Sequence, residues 1–248
     1  MTKLRKNSHC FLGIRRAILL RKPHMVLLCL LLCPALMFPA FASEAALEVE
    51  APEKPNLTTI KTVPLTDFID MTSHWGESFV QQAVEMGLFT GYPDGTFKPD
   101  DTISRADFVT VLWRSAGSPE PKTAAPFADV PANAYYAKAV AWAKENGYVD
   151  GTGATTFAPA DALQRQAAMK ILFCYNGAQS GLELLLTSAY DAAFTDSGMI
   201  ASWAKAPLYW AYYNDIISGV GGDCLSPTTS VTRAQMAKIL VNYLNARG

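Results

Sequence analysis

Histidine and cysteine are scarce in this chain, which has three histidines and five cysteines among 248 residues. Beyond residue 42 only His74, Cys174 and Cys224 remain, so no Cys/His cluster has the spacing of a zinc site. A Ser/His/Asp or Cys/His catalytic set would depend on His74 alone, and no pair of carboxylates stands out. The sequence therefore predicts no metal site, no cofactor and no catalytic residues.

A hydrophobic run of membrane-spanning length is lacking at the N-terminus. The apolar run from Met25 to Phe38 has about 14 residues, fewer than the roughly 20 that a spanning helix needs. Seven basic residues precede this run, no acidic residue precedes Glu44, and Ala40-Phe41-Ala42 supplies the small-x-small step of a cleavage site. We therefore expect residues 1–42 to be a signal peptide and the mature, exported protein to have no membrane span.

Basic residues are fewer than acidic ones once the predicted signal peptide is set aside. That segment carries seven of the 21 basic residues and none of the 22 acidic ones, so the rest has a net charge of −8. An acidic exported protein is a poor candidate for binding nucleic acid. Residues 43–66 are rich in Glu, Pro and Thr without an apolar period, which predicts a flexible lead. Export leaves open whether Cys174 and Cys224 pair.

One constellation of residues returns three times in the same order and at the same spacing. A Phe-x-Asp step precedes an aromatic residue, a glycine follows that aromatic by 16 residues, and an arginine follows the glycine by 14. Fixed spacing of this kind indicates a repeat protein, in which a functional site is built several times. The three sets are Trp75, Gly91 and Arg105; Tyr135, Gly151 and Arg165; and Trp203, Gly219 and Arg233.

Each repeat is predicted to be a helix, a loop and a second helix. Apolar residues at spacings of three and four indicate the first helix, which should end at Gly87 or its equivalents, and Pro207 should shorten or kink the third copy. Each loop carries an apolar plug. Because one repeat is too small to bury its apolar face, we expect a single, mainly α unit. The plugs are Phe97, Phe157 and Leu225; the expected repeats are 67–117, 127–177 and 194–248, with a connecting insert at 178–193.

The second helix of each repeat begins with an arginine, where a cation opposes the helix dipole at a cost of about 0.3–1 kcal/mol. Two explanations stand. The arginine and the exposed helix amides form a receptor for a carboxylate or phosphate, or the arginine pairs with the aspartate of the Phe-x-Asp step. Ser104 with Asp107, and Thr232 with Gln235, predict capping boxes, whereas Gln164 does not. The repeat aromatics are expected in the core rather than as platforms for a sugar.

A calcium loop is the functional alternative for the aspartates of the first loop. Asp94, Asp100 and Asp101 do not have the spacing of the D-x-D-x-D-G motif, and the second repeat has Ala154 and Thr155 in that stretch. We therefore expect these residues to form turns.

The pattern resembles the S-layer homology (SLH) domain, whose repeats read F-x-D, W-A, G-Y-P-D-G-x-F-x-P and I-T-R-A-E. The first and third repeats match well, and the second is the poorest because Gln164 and Gln166 flank its arginine. The matching segments are Phe68-Ile69-Asp70, Trp75-Gly76, Gly91 to Pro99 and Ile103 to Asp107 in the first repeat, and Phe194-Thr195-Asp196, Trp203-Ala204 and Val231 to Gln235 in the third.

The resemblance implies a pseudo-threefold helical unit that binds secondary cell-wall polysaccharide, attached to peptidoglycan, in grooves between repeats. It also implies that the helix-start arginine contacts an anionic group of the sugar, often a pyruvate ketal. Two other functions remain open, a protein-interaction adaptor of the envelope and an accessory part of a cell-wall hydrolase system. The implied ligand-binding residues are Arg105, Arg233, Arg165, Ser104, Thr232, Trp75, Trp203, Tyr135, Gly91, Gly151 and Gly219.

Overall fold

The computed structural model describes residues 68–177 and 190–247. The predicted signal peptide, the lead and residues 178–189 of the connecting insert lie outside the described residues. Six α-helices are assigned in the described part, two in each repeat, and three isolated β-bridges occur there without any strand. The prediction of a mainly α fold is confirmed. The helices are α1 Glu77–Glu85, α2 Arg105–Ser115, α3 Ala137–Glu145, α4 Arg165–Tyr175, α5 Lys205–Tyr213 and α6 Arg233–Arg247.

The first helix of every repeat ends in the same way. The residue just past the C-cap has a positive φ: +69° at Gly87, +70° at Gly147 and +56° at Asp215. The next residue donates its backbone N–H to a carbonyl five positions earlier, as from Leu88 to Ala83 at 2.9 Å. This pattern is a Schellman motif, and an aspartate tolerates the left-handed conformation where the third repeat lacks glycine. The predicted helix ends are confirmed.

Pro207 does not shorten its helix, contrary to the expectation from sequence. Helix α5 has nine residues, as do α1 and α3, and it follows a short 3-10 turn at Ser202–Ala204. Pro207 is the third residue of α5, and an N–H in the first turn of a helix has no intrahelical acceptor. The missing donor of proline therefore removes no helical hydrogen bond here.

The helices pack between repeats in a closed cycle. Helix α2 packs on α3, α4 packs on α5, and α6 packs on α1, so each second helix pairs with the first helix of the following repeat. Short segments before α2, α4 and α6 meet at the centre. There the backbone N–H of Ile103 donates to Val231, that of Val231 to Leu163, and that of Leu163 to Ile103, each at 2.9 Å. This ring of hydrogen bonds gives the unit its pseudo-threefold centre.

The apolar plugs of the three loops form part of the core. Phe97, Phe157 and Leu225 are each 0% exposed, as predicted. The Phe97 ring lies 5.5 Å from that of Phe68, so the Phe-x-Asp step packs against its own loop. Cys174 and Cys224 are both free thiols in the structure. None of the helices within residues 68–177 and 190–247 combines the length and apolar character needed to cross a bilayer.

Candidate functional site

Three junctions between repeats bring the predicted site residues together. Each junction joins the start of one repeat's second helix to the loop and the first-helix start of the next repeat. Junction 1–2 contains Ser104, Arg105, Asp107, Tyr135 and Gly151. Junction 2–3 contains Gln164, Arg165, Gln166, Trp203 and Gly219. Junction 3–1 contains Thr232, Arg233, Gln235, Trp75 and Gly91.

In this arrangement the candidate site residues of one repeat are divided between two junctions. Trp203, from a repeat that matches the family pattern well, lies with Gln164 and Arg165 of the poorest repeat. Tyr135, from the poorest repeat, instead lies with Ser104 and Arg105. The sequence pattern describes one repeat at a time, whereas each junction is formed by residues of two repeats.

The backbone amides at the helix starts are already occupied. In junction 1–2 the N–H of Arg105 donates to Asp161 and that of Ala106 to Pro159, both at 3.0 Å. The same two bonds, with lengths of 2.9 to 3.0 Å, recur at the other helix starts. The expectation of exposed amides is therefore wrong for these two positions, because the neighbouring repeat supplies their acceptors. The equivalent pairs are Arg165 to Thr229 and Gln166 to Pro227, and Arg233 to Asp101 and Ala234 to Pro99.

The arginine side chains also bind the backbone of the neighbouring repeat. Arg105 donates from Nε to the carbonyl of Phe157 at 2.9 Å and from Nη2 to that of Asp150 at 3.1 Å. Arg233 makes the equivalent bonds to Phe97 at 2.8 Å and to Thr90 at 3.3 Å. Each guanidinium also lies over the plug ring, at 4.8 Å for Arg105 and 4.6 Å for Arg233. These arginines fasten adjacent repeats to each other.

Arg165 is held by fewer bonds. Its Nη2 donates to the carbonyl of Ser218 at 2.8 Å, but its buried Nε has no hydrogen-bond partner. Arg165 and Arg233 are 9% and 8% exposed, whereas Arg105 is half-buried. Burial lowers the pKa of both Arg105 and Arg165, although nearby carboxylates oppose the shift. An arginine stays protonated despite such shifts, so all three junctions contain a cation.

The aspartates of the Phe-x-Asp steps do not pair with these arginines, so that explanation is also wrong. Asp129 accepts the backbone N–H of Phe157 at 2.8 Å and that of Ala158 at 2.7 Å, which lowers its pKa. Asp70 and Asp196 accept the same pair of N–H groups in their own loops. Among the described residues, no ion pair joins a helix-start arginine to a carboxylate.

The repeat aromatics lie at the surface, which contradicts the expectation that they pack in the core. Trp75, Tyr135 and Trp203 are 54%, 65% and 51% exposed. The hydroxyl of Tyr135 donates to Asp107 Oδ1 at 2.6 Å, and burial together with this bond raises the pKa of Tyr135. Exposed aromatic rings of this kind can stack on a sugar.

The glycines of the three sets make room for packing. A Cβ on Gly91 would lie 2.1 Å from Cε1 of Phe68, and one on Gly151 would lie 2.5 Å from the carbonyl oxygen of Gly153. A Cβ on Gly219 would lie 3.2 Å from the carbonyl oxygen of Cys224. These close approaches explain why a glycine stands at each of the three positions.

The predicted capping box is complete in the third repeat, whereas in the first repeat only its Ser104 half forms, because the Asp107 carboxylate accepts from the Ser104 hydroxyl at 2.7 Å. Ser104 Oγ accepts the N–H of Asp107 at 3.0 Å, and Thr232 with Gln235 exchange bonds of 3.2 and 3.3 Å. Gln164 makes no such cap. In the first loop Asp94 accepts the N–H of Thr96 at 3.0 Å, which is turn geometry. No group of three or more potential metal ligands is found within the described ranges.

Comparison with known proteins gives one family. The family model described as S-layer homology domain matches residues 67–109, 126–169 and 193–237. The chain is 34% identical over 178 residues to the Surface-layer 125 kDa protein of Lysinibacillus sphaericus, covering 71% of this chain and 14% of that protein.

Two further relatives have different names. An Amylopullulanase of Thermoanaerobacterium thermosulfurigenes is 24% identical over 185 residues, covering 73% of this chain and 10% of that protein. A Cellulosome-anchoring protein of Acetivibrio thermocellus is 31% identical over 153 residues, covering 60% of this chain and 31% of that protein. The chain therefore spans less than a third of the length of each of these three relatives.

Proposed function

This chain belongs to the S-layer homology domain family, and on that premise we propose that it is a noncatalytic anchoring protein of the bacterial cell wall or S-layer. Its ligand is an anionic secondary cell-wall polysaccharide attached to peptidoglycan, with a pyruvate ketal as its acidic group. The repeats of this family are binding and anchoring modules. The names of the surface-layer and cellulosome-anchoring relatives agree with a location at the cell surface.

The observation that carries this proposal is that every junction contains both an exposed aromatic ring and an arginine. Trp75 shares a junction with Arg233, Tyr135 with Arg105, and Trp203 with Arg165. A ring face stacks on the apolar face of a sugar, and a guanidinium binds an acidic substituent. Threefold repetition of this pair allows one polymer chain, or several, to be held at more than one point.

Arg105 is the strongest candidate for contact with the acidic group. It is the one helix-start arginine of the three that is half-buried rather than buried, and its Nη1 makes none of the hydrogen bonds described above. We expect Arg105→Ala to weaken polymer binding by about 1.5–3 kcal/mol, as for a lost hydrogen bond to a charged group. Arg165→Ala should have the smallest effect on the anionic polymer, because Arg165 is buried beside Gln164 and Gln166.

An interaction adaptor of the envelope is the second candidate. Three further exposed apolar side chains favour it: Ile69, Met199 and Val220 are 73%, 60% and 57% exposed. Such a protein would bind another envelope protein through these side chains and would not require the polymer.

Cosedimentation with purified sacculi separates these functions. The anchoring protein should sediment with intact sacculi and stay in solution with sacculi stripped of the anionic polymer. Equal sedimentation with both would contradict polymer recognition, and sedimentation only when envelope proteins are present would support the adaptor. Release of muropeptides during the incubation would contradict a noncatalytic role.

A further inference from the structure

Junction 2–3 differs from the other two in the side chains that surround its helix start. Gln164 stands where the other repeats have Ser104 and Thr232, and Gln166 stands where they have alanine. We propose that junction 2–3 binds an uncharged sugar unit, with the side-chain amide of Gln164 donating to an acceptor oxygen of the sugar and the indole of Trp203 covering its face. This inference rests on the proposed function and assigns one junction to a neutral part of the polymer.

A relay of hydrogen bonds fixes the direction of the Gln164 amide. The backbone N–H of Ala201 donates to Gln166 Oε1 at 3.1 Å, and Gln166 Nε2 donates to Gln164 Oε1 at 3.0 Å. A backbone N–H can only donate, so Gln166 must present its oxygen to Ala201 and its amide nitrogen to Gln164. Gln164 therefore uses its oxygen inside the junction and offers its two Nε2 hydrogens outward from an exposed side chain.

The same relay of hydrogen bonds also holds the segment that carries Trp203. Gln166 is 6% exposed, so its side chain is fixed within the junction. Ala201 directly precedes the Ser202–Ala204 turn, which carries Trp203 and packs on α4. The donor and the half-exposed indole are thus tied to each other before any ligand arrives, which reduces the entropy lost on binding.

The charges at this junction favour a neutral ligand. Arg165 is buried, and the amides of Arg165 and Gln166 already donate to Thr229 and Pro227, so the helix start itself offers no open anion site there. What this junction exposes is an amide donor and an indole, the pair that suits a sugar with a carbonyl or hydroxyl acceptor.

NMR titration of the exported protein with chitotetraose and cellotetraose, two uncharged sugars, tests this assignment. We expect the indole signal of Trp203 and the side-chain amide signals of Gln164 to shift, with an affinity that salt does not change. Stronger binding of chitotetraose would assign the acceptor to the acetamido carbonyl, and equal binding would assign it to a hydroxyl. If neither sugar shifts these two side chains, the inference is overturned.

The variant Gln164→Glu removes the donor while keeping an oxygen for Gln166. It should bind the sugar about five- to tenfold more weakly, as expected for one lost neutral hydrogen bond. Gln81→Glu is the matched control, because Gln81 is an exposed glutamine on α1 outside the junctions. Unchanged sugar affinity in Gln164→Glu would refute the role of the amide. Sacculus sedimentation, measured in parallel, distinguishes failure of this inference from failure of the proposed function. If the parent protein does not sediment with intact sacculi, the proposed function itself is refuted.

Discussion

Asp70 and Arg233 hold the same residue from opposite sides, although they belong to the first and the third repeat. Asp70 Oδ1 accepts the backbone N–H of Phe97 at 2.9 Å, and Arg233 Nε donates to the carbonyl of Phe97 at 2.8 Å. Asp129 and Arg105 hold Phe157 in the same way. The plug of a loop is therefore fixed jointly by its own repeat and by the second helix of the repeat packed against it.

Arg233→Ala should destabilise the fold. The substitution leaves the buried carbonyl of Phe97 without its donor, at a cost of about 1–3 kcal/mol, and also removes the bond to the exposed Thr90. The helix dipole alone predicts a neutral or slightly stabilising change, and we expect the larger effect of the lost contacts to dominate. Urea or thermal unfolding measures the difference.

Arg114→Ala is the control for that experiment, because Arg114 is exposed near the end of α2. Its free energy of unfolding should stay within about 0.5 kcal/mol of the parent. If Arg233→Ala unfolds like the control while polymer binding is lost, Arg233 serves the ligand and not the junction.

The first repeat alone, residues 67–117, should not fold as a stable monomer. Its helix α1 packs on α6, and the N–H of Ile103 donates to Val231, so both partners come from the third repeat. Circular dichroism and size-exclusion chromatography should show a poorly folded or self-associating fragment. A monomer that melts cooperatively would show that the repeats are independent.

Acid should weaken the fold through the loop aspartates. The N–H of Phe157 lowers the pKa of Asp129 below its ordinary value of 3.8, so this carboxylate stabilises the fold above that pH. The stabilisation is lost as the pH falls through the lower, folded-state value. Melting temperatures from neutral pH down to about pH 3 should fall less steeply in Asp129→Asn than in the parent. Identical slopes would mean that Asp129 does not contribute to acid sensitivity.

Residues of one junction should act together in polymer binding. Because Tyr135 and Arg105 share junction 1–2, the double substitution to alanine should show a coupling of about 0.5–3 kcal/mol in sacculus affinity. Arg105 and Trp75 lie in different junctions, and their effects should add within about 0.5 kcal/mol. Coupling of Arg105 with Trp75 instead would mean that each repeat forms its own site.

Processing of the chain gives a direct check on the export signal. N-terminal sequencing of envelope material should find Ser43 as the first residue, because a basic region, an apolar run and a small-x-small step precede it in order. A chain that keeps Met25 to Ala42 would be an uncleaved anchor.

The sequence was informative wherever the determining contacts are local. Helix spacing, the left-handed helix ends at Gly87 and Gly147, and the buried plugs depend on residues within one repeat, and all were predicted. The resemblance carried by the motif segments also identified the family, which the three matched ranges confirm.

The junctions could not be predicted in the same way, because their contacts join distant residues. Arg233 and Thr90 are 143 positions apart, and no periodicity links them. The exposure of Trp75 was missed since an aromatic at a helix start is consistent with either core or surface. The amide relay of Gln164 depends on Ala201, an alanine whose backbone carries the interaction and whose side chain gives no signal.

The closed cycle of repeats has a mechanical consequence. In an open array of repeats, force applied between the first and last repeats would separate neighbours one at a time. Here the contact of α1 with α6, the hydrogen bond from Ile103 to Val231 and the bonds of Arg233 bridge the first and last repeats directly. Tension between residues 68 and 247 must therefore load these bridging contacts in parallel. Junction 3–1 has to break before the first and last repeats can separate.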